Sequence, residues 1–396
     1  MAVLLLDWIT LVLRWSHVLA AIAWIGSSFY FVALDFSLRG GAEPEAGVAG
    51  EAWQVHGGGF YRIRKYLVAP ASLPSELTWF MWEAYSTWLL GFGLLVLEYY
   101  LKPGVYLIDP AVMTLPPWAA VAVGLASLAG GWIVYDLLCR SPIGRNSRLL
   151  SGLGLVLLFA ASAAYLNVFS ARGAYLHVGA LVGTIMVANV FFIIIPNQRK
   201  IVAALLAGET PSADLGKQSK ERSLHNNYLT LPVVFVMLSS HYPFTFAGPH
   251  PLLVLTAVFV VGFLVRHHFN LTHKTGSAPK FLFPAAALII LGMALFTAPA
   301  TNPATSHGMA SFPVVRRIIA ERCQTCHSSM PTYAGIDEPP LGIAYDTDED
   351  IKRYATRIHE QVVVNKAMPL GNVTNITAEE RQAIDTWFQA GASIGP

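Results

Sequence analysis

The sequence predicts an all-α protein in two parts, a bundle of eight transmembrane helices over residues 1–300 and a small soluble helical domain over residues 301–396. Hydrophobic residues make up 54% of the 396-residue chain and charged residues only 13%, which is about half the charged fraction of soluble proteins. Apolar segments near the length that crosses a bilayer, roughly 20 residues, recur eight times. After Pro299 the composition becomes polar.

The loops between the predicted spans differ in charge. Lys and Arg number fourteen in the odd-numbered loops and two in the even-numbered loops. Because cytoplasmic loops carry the excess of basic residues, both termini are expected on the opposite face of the membrane. The formal net charge of +2 argues against a nucleic-acid partner. The predicted spans are 6–37, 76–101, 117–138, 149–169, 173–195, 226–244, 250–271 and 280–299.

The motif Cys323-Gln324-Thr325-Cys326-His327 has the spacing of covalent haem c attachment. Two thioether bonds would hold the haem, and the adjacent His327 imidazole would ligate the iron. Met368 is expected as the second axial ligand, since Met330 is too close to His327 to reach the other haem face. A chance pairing, a zinc half-site and a thioredoxin-like dithiol are the alternatives. Zinc would need further ligands nearby, and a dithiol would not need the histidine.

The soluble part is expected to fold as a small class I cytochrome c, with helices before Cys323, near 348–364 and near 377–391. The last of these opens with Thr377-Ala-Glu-Glu380, which is the pattern of a capping box. In bacteria haem c is attached outside the cytoplasm, which agrees with the orientation indicated by loop charge. We therefore expect a multi-pass inner-membrane protein with a periplasmic cytochrome domain.

Ionisable residues inside the predicted spans mark functional sites, because removing them from water is costly. The outer half of the bundle is expected to hold Arg14, His17, Arg172 and His177. His17 and His177 enter from the same side at comparable depth, so they are candidate axial ligands of a b-type haem, with an arginine near its propionates. The alternative is that each histidine bonds the backbone of a neighbouring helix.

The inner half of the bundle is predicted to hold a second polar layer. Its amides, imidazoles, guanidinium and aromatic faces suit a small planar molecule with many C=O and N–H edges. The triple glycine after His56 would permit close backbone approach to such a ligand. Interfacial anchoring is the alternative for each residue taken singly. The candidate residues are Glu83, His225, Asn226, Asn227, Tyr228, His267 and His268 in the spans, and His56 and Arg62 in the preceding loop.

Four stretches of the membrane part carry a family resemblance. They are Arg14-Trp-Ser-His-Val18 with Ala23-Trp-Ile-Gly-Ser-Ser-Phe-Tyr-Phe31, His56-Gly-Gly-Gly-Phe-Tyr61, Trp79-Phe-Met-Trp-Glu-Ala-Tyr-Ser-Thr-Trp88 and Arg222-Ser-Leu-His-Asn-Asn-Tyr-Leu-Thr-Leu-Pro232. They resemble bacterial membrane-bound urate oxidases (urate hydroxylases) fused to cytochrome c. The resemblance implies oxidation of urate to 5-hydroxyisourate, a step of purine breakdown, with electrons leaving through the cytochrome. A soluble cytochrome c or a terminal oxidase would accept those electrons, and membrane lipid would surround the bundle.

Our own inference from residue chemistry assigns roles to the inner layer. Glu83 is the expected general base, and His267 or His268 would shuttle protons. Arg62 would pair with the urate anion. His225 is expected to be catalytic and, together with Asn226 and Asn227, to bond the purine edges. His56 and Tyr228 complete the expected substrate site.

Two other functions remain open from the sequence. In one, the protein only relays electrons from quinol as a haem-bearing subunit of a respiratory complex. In the other, it is a transporter whose haem domain senses redox state. Reduction of haem c by urate would indicate the oxidase, reduction by quinol alone would indicate the electron relay, and reduction by neither would favour the transporter.

Overall fold

The computed structural model describes residues 2–40, 47–68, 70, 72–297, 311–364 and 366–395, and these are mostly helical, as predicted. The predicted boundary between residues 300 and 301 lies outside the described residues. The elements of the membrane part are α1 (Ala2–Ser37), β1 (Val48–His56), β2 (Gly59–Tyr66), α2 (Trp82–Leu95), α3 (Pro103–Tyr106), α4 (Pro117–Arg140), α5 (Ser147–Leu166), α6 (Ala171–Ala188), α7 (Ile195–Leu206), α8 (Ala213–Ser239), α9 (Phe244–Ala247), α10 (Pro251–Thr275) and α11 (Leu282–Phe296).

Two π-helical segments and one 3₁₀ turn interrupt or extend these helices. Val96–Tyr100 continues α2, and Asn189–Ile194 joins α6 to α7. Short π segments inside helices are frequent at functional sites. The C-terminal part consists of α12 (Phe312–Arg322), α13 (Asp348–Arg353), α14 (Ala355–Ile358), a π segment (His359–Val364) and α15 (Ala378–Gln389). The 3₁₀ turns are Pro142–Arg145, Pro340–Gly342 and Leu370–Asn372.

The all-α prediction is wrong at one place, because β1 and β2 form an antiparallel hairpin. His56 pairs with Gly59, so Gly57 and Gly58 make a two-residue turn. Their φ values of 56° and 80° are those of the tight hairpin turns that favour glycine. Gly57 and Gly58 therefore form the hairpin turn. Their presence between two strand-like segments was the sequence signal for a hairpin, and the all-α prediction missed it. Lys65 and Lys220 both pair with Asp35, which ties the hairpin end to α1 and α8.

Within the described residues, five helices are long and apolar enough to cross a membrane, and they coincide with predicted spans. Their ranges are Leu5–Ser37, Pro117–Arg140, Ser147–Leu166, Ala171–Leu206 and Pro251–Thr275. The other three predicted spans overlap with α2, α8 and α11. Of these, α11 is apolar but only 15 residues long, and α8 carries charged residues through its first half.

Helix α6 lies at the centre of the membrane part. Its fully enclosed side chains include Tyr175, Val178 and Val182, and it packs against α2, α4, α5 and α8. Glycines permit the close contacts: a Cβ on Gly131 would lie 2.3 Å from the Leu181 side chain, and one on Gly179 would lie 3.0 Å from Val236. Small residues at helix contacts are typical of membrane bundles.

The C-terminal part has its own apolar core and also contacts the membrane part. Val315, Ile319, Ile351 and Ile384 are enclosed there. Gly371, in the turn Leu370–Asn372, approaches α3: a Cβ at this position would lie 3.2 Å from the Val105 carbonyl oxygen. Its φ of 56° also favours glycine. This turn and α3 therefore form one contact between the two parts.

The predicted capping box is present in α15 and provides a stability test. The Thr377 hydroxyl accepts a hydrogen bond from the Glu380 N–H, and the Glu380 carboxylate accepts one from the Thr377 N–H. Thr377→Ala should destabilise the C-terminal part by about 1 kcal/mol, measured by denaturant unfolding. Thr386→Ala, in the interior of the same helix, should cost less or stabilise, since alanine is the better helix former. Equal losses would contradict the capping role.

Candidate functional site

The residues of the haem motif lie around one cavity in the C-terminal part. Cys323, Cys326, His327 and Met368 all line this cavity, whose volume is about 290 Å³. Leu341, Ile343, Ile358 and Val362 supply much of the remaining wall. Met368 follows Cys323 by 45 positions in the chain, so the fold, and not the local sequence, brings the thioether to the motif. The cavity is thus an apolar space with sulfur and imidazole ligands on its wall.

The chemistry of these side chains fits a covalently attached haem. His327 Nδ1–H donates to the Ile343 carbonyl oxygen at 2.9 Å, which leaves Nε2 as the ligating nitrogen. Burial lowers the pKa of His327, so the neutral form that ligates iron is favoured. Burial raises the pKa of Cys323 to about 12. Cys323, Cys326, His327 and Met368 would hold the haem. When bound, it would supply one-electron redox chemistry.

A zinc half-site would need further ligands near the two cysteines. No group of three or more His, Cys, Asp or Glu side chains is arranged for a metal among the described residues. Arg357 and Gln361 give the cavity polar wall groups. Haem attachment remains the interpretation that accounts for the motif, the apolar cavity and Met368 together.

One wall residue of this cavity comes from the membrane part. Val105 of α3 lines the cavity beside Met368 and Leu370. Lys102 Nζ donates to the Gly335 carbonyl oxygen at 3.3 Å, a second contact between the two parts. The cavity is therefore completed where the C-terminal part meets the membrane part.

His17 and His177 bond to different neighbouring groups, and their rings are not in contact. His177 is 0% exposed; its Nδ1 donates to the Gly173 carbonyl oxygen at 2.8 Å and its Nε2 lies 3.1 Å from the Tyr100 hydroxyl. His17 Nδ1 lies 2.9 Å from the Thr87 carbonyl oxygen. A Cβ on Gly91 would lie 2.7 Å from the His17 ring.

The outer arginines also have local partners. Arg14 pairs with Glu98, and Arg172 lies over the Tyr106 ring at 4.6 Å and donates to the Tyr99 hydroxyl at 3.3 Å. Of the two histidines, His17 bonds the backbone of the neighbouring helix α2, whereas His177 bonds the backbone of its own helix α6. The b-type haem between His17 and His177 remains a prediction.

The inner polar layer forms two buried clusters on opposite sides of α8. We call the first the Asp136 cluster: Asp136, Tyr135, Asn189, Arg222, His225 and Asn226. Arg222 Nη2 donates to Asp136 Oδ1 at 2.7 Å and its Nη1 donates to Asn189 Oδ1 at 3.2 Å. Asn189 Nδ2 donates to Asn226 Oδ1 at 3.0 Å, and the Tyr135 hydroxyl lies 2.7 Å from His225 Nδ1. Every amide and guanidinium in this cluster has partners.

The second cluster, which we call the Arg266 cluster, comprises Asn227, Arg266 and Asn270 under the ring of Phe29. Arg266 donates from Nε and Nη2 to Asn227 Oδ1 at 3.2 and 2.9 Å, and from Nη2 to Asn270 Oδ1 at 3.2 Å. Asn270 Nδ2 donates to Asn227 Oδ1 at 3.0 Å. The Phe29 ring centroid lies 3.8 Å from Arg266 Cζ.

The remaining predicted residues lie beside the clusters or outside them. The Tyr228 hydroxyl lies 2.9 Å from His267 Nδ1, and the His268 ring packs against Phe283 at 4.3 Å. His268 Nδ1 is buried without a hydrogen-bond partner among the described residues. Glu83 is half-buried in the first turn of α2. Its carboxylate makes no hydrogen bond within the part of the chain that the structure describes.

The predicted hairpin residues are not part of either cluster. His56 is exposed at the end of β1. Arg62 pairs across the hairpin with Glu51, at 2.7 Å between Nη2 and Oε2. Their assignment to the substrate site stays a prediction, since the described contacts link them to the hairpin itself.

Three charged residues of the clusters are missing from the sequence-based candidate list. Asp136 and Arg266 lie inside the predicted spans 117–138 and 250–271, so an ionisable group within an apolar span was the available signal. Arg222 was counted among the loop residues, because the first half of α8 carries too many charged residues to be predicted as a membrane span. The pairing of these residues follows from the packing of α4, α8 and α10, which no local pattern reveals.

The described fold and sites define a helical protein with membrane-length helices, buried polar clusters and a separate cavity lined by a CxxCH motif. A family model described as "Urate oxidase N-terminal" matches residues 3–298, about three quarters of the chain. The chain belongs to this family, and it is a urate-related oxidoreductase. The predicted family is thus confirmed at this level. Searches of curated proteins and of solved structures returned no match.

The position of Met368 on the cavity wall leads to a spectroscopic prediction. Met368→Ala in haem-loaded protein should abolish the thioether–iron charge-transfer band at the red end of the ferric spectrum, because the sulfur ligand is removed. Met330→Ala is the matched control: Met330 is 80% exposed, so its loss should leave the band in place. A persistent band in Met368→Ala would assign the second axial position to another residue.

Proposed function

We propose that this protein oxidises urate to 5-hydroxyisourate and passes the electrons to its own C-terminal cytochrome c domain. Urate and one water give 5-hydroxyisourate, two protons and two electrons. Since a haem accepts one electron at a time, each turnover needs two successive transfers, with reoxidation by an external one-electron acceptor between them. That acceptor would be a soluble cytochrome c or a terminal oxidase.

The observation that carries this proposal is the position of the haem-type cavity. The match to the urate oxidase family model ends at residue 298. Val105 lies inside that match, yet it lines the same cavity as His327 and Met368. A redox cofactor in this cavity would therefore contact the urate-oxidase part directly. This contact supports electron transfer between the two parts within one chain.

The proposed substrate region and the cavity lie towards opposite ends of the membrane part. Helix α2 and its π extension run from Trp82, next to Glu83, to Tyr100, close to α3. Eighteen helical steps rise about 27 Å, so electrons would have to cross most of the bundle. Aromatic rings lie along this direction: Trp88 stacks on Phe92 at 5.0 Å, and Tyr99 lies 5.6 Å from Tyr106, the neighbour of Val105.

The membrane arrangement follows from the loop charges and remains part of the proposal. The eight helical segments would span a bacterial inner membrane, with the cytochrome domain in the periplasm and the hairpin in the cytoplasm. Urate would then enter from the cytoplasmic side, where the Asp136 and Arg266 clusters lie. Glu83 would remove a proton from urate, and the hydrogen-bonded pair Tyr228–His267 would carry protons away.

The proposed reaction predicts a direct spectroscopic outcome. Purified haem-loaded protein mixed with urate in the absence of oxygen should show reduction of haem c, which is measured by the change in the haem absorption bands. A purine analogue of urate that cannot be oxidised at C5 should leave haem c oxidised and serves as the control. Reduction by a quinol but not by urate would establish the electron-relay function in place of the proposed one.

The role of Glu83 is tested by an isosteric change. Glu83→Gln keeps the side-chain shape and removes the base, so kcat should fall about 100-fold or more while KM changes little. Glu76→Gln is the matched control, because Glu76 is exposed and precedes α2; its kcat should be unchanged. A near-normal kcat in Glu83→Gln would exclude Glu83 as the base and direct attention to His225 and His267.

A further inference from the structure

The Arg266 cluster contains a buried positive charge without a counter-charge. Arg266 is only 6% exposed, and its hydrogen-bond partners Asn227 and Asn270 are neutral amides. No carboxylate pairs with Arg266 among the described residues. Arg222 provides the contrast, since its buried guanidinium pairs with Asp136 at 2.7 Å. Buried charges in proteins are normally paired, so the Arg266 cluster lacks an anion.

Asn227 adds an unused donor to the same cluster. Its Oδ1 accepts from Arg266 Nε, Arg266 Nη2 and Asn270 Nδ2, which fixes the orientation of the amide, because the reversed group would point N–H at these donors. The side chain is 0% exposed, and its Nδ2 has no hydrogen-bond partner among the described residues. A buried donor without a partner costs about 1–3 kcal/mol, so a ligand that accepts from it would be bound favourably.

These two deficits specify the chemistry of the missing partner. It must be an anion, to compensate the guanidinium, and it must present an acceptor oxygen to the Asn227 amide. A flat molecule also suits the site, because the Phe29 ring lies 3.8 Å from Arg266 Cζ and offers a face for stacking. The urate monoanion has all three properties: a negative charge, three carbonyl oxygens and a planar ring system.

We propose that the Arg266 cluster is the recognition site for the urate monoanion. Arg266 would compensate its charge, Asn227 Nδ2 would donate to a carbonyl oxygen, and Phe29 would cover the ring. This inference rests on the proposed function and deepens it, since it names the residues that select the substrate. Phe29 covers the guanidinium in the structure, so entry requires its ring to move aside.

The position of the cluster fits entry from the side of the hairpin. The Tyr30 hydroxyl, next to Phe29, donates to Gln54 of β1 at 2.6 Å, and Arg39 donates to the His273 carbonyl oxygen at the end of α10. The hairpin therefore lies at the end of the bundle where α1 and α10 hold Phe29 and Arg266. Tyr228 follows Asn227 in the chain and His267 follows Arg266, so the proposed proton-handling pair lies next to the cluster.

Asn227→Asp separates recognition from structure. The carboxylate keeps an oxygen for Arg266 and pairs with its charge, but it removes the free donor and fills the anion position. Urate affinity should fall about 10- to 100-fold, measured by equilibrium dialysis of labelled urate, while the thermal unfolding temperature should not fall. Asn197→Asp is the matched control: Asn197 is a buried amide that donates to Leu215 and Gln218 of α8, so this variant should lose stability and keep its urate affinity.

A second variant covers the case in which Asn227→Asp does not fold. Arg266→Lys keeps the charge but loses the planar fork that bonds Asn227 from two nitrogens, and its urate affinity should fall about tenfold. Dialysis is run in neutral detergent and again with added phosphatidylglycerol. Unchanged urate affinity in the folded variants would overturn the inference. Complete loss of urate binding by wild-type protein when phosphatidylglycerol is added would overturn it too, because the cluster would then hold a lipid headgroup.

The two proposals fail in different ways. Wild-type protein that neither binds nor oxidises urate would overturn the proposed function together with this site. Wild-type protein that reduces haem c with urate, while Asn227→Asp and Arg266→Lys bind urate with wild-type affinity, would overturn the site alone.

Discussion

The membrane part depends on the pairing of charges that its apolar bundle encloses. Asp136 of α4 and Arg222 of α8 have side chains only 11% and 5% exposed and lie 2.7 Å apart. Removing one partner of such a buried pair costs about 3–5 kcal/mol, because the other charge is left uncompensated. Arg222 also bonds Asn189, at the start of the π segment between α6 and α7. One guanidinium thus holds three helical segments in register.

This constraint also explains why α8 is the least apolar of the long helices. Its residues 222–228 direct side chains into two clusters on opposite sides of the helix. Arg222, His225 and Asn226 join the Asp136 cluster, and Asn227 bonds Arg266 of α10. Hydrogen bonds and charge pairing, in place of apolar burial, therefore fix the position of α8. Among the described residues, the first cluster satisfies its own groups, whereas the second lacks an anion for Arg266 and an acceptor for the Asn227 amide. This difference is the reason for proposing the second cluster as a binding site.

The other end of the bundle is organised by a close backbone contact. Gly371 lies against the carbonyl oxygens of Val105 and Ile108, where a Cβ would come within 3.2 and 3.0 Å. The absence of a side chain there allows α3 to reach the cavity wall. The apolar cavity, the ligand-type residues and the membrane part consequently meet at one place. The proposed electron path ends there, about one bundle length from the polar clusters.

The sequence by itself determined the features that follow from local spacing. The helix positions came from apolar runs of membrane length, the N-terminal cap of α15 came from Thr377 and Glu380 three residues apart, and the CxxCH motif indicated haem. The hairpin also had a local signal in the glycines after His56, but this stretch was interpreted as a loop that approaches a ligand. Each of these features depends on residues close together in the chain.

Only the tertiary structure decided which distant residues meet. His17 and His177 have equal depth in the sequence, yet their separate contacts with Gly91 on α2 and Tyr100 at its π extension give each ring its own neighbours. Arg266 and Asn227 are far apart in the chain, and only the packing of α8 on α10 unites them. The physical reason is that helix periodicity specifies which face of a helix is buried, whereas the partner of that face depends on how all the helices pack together.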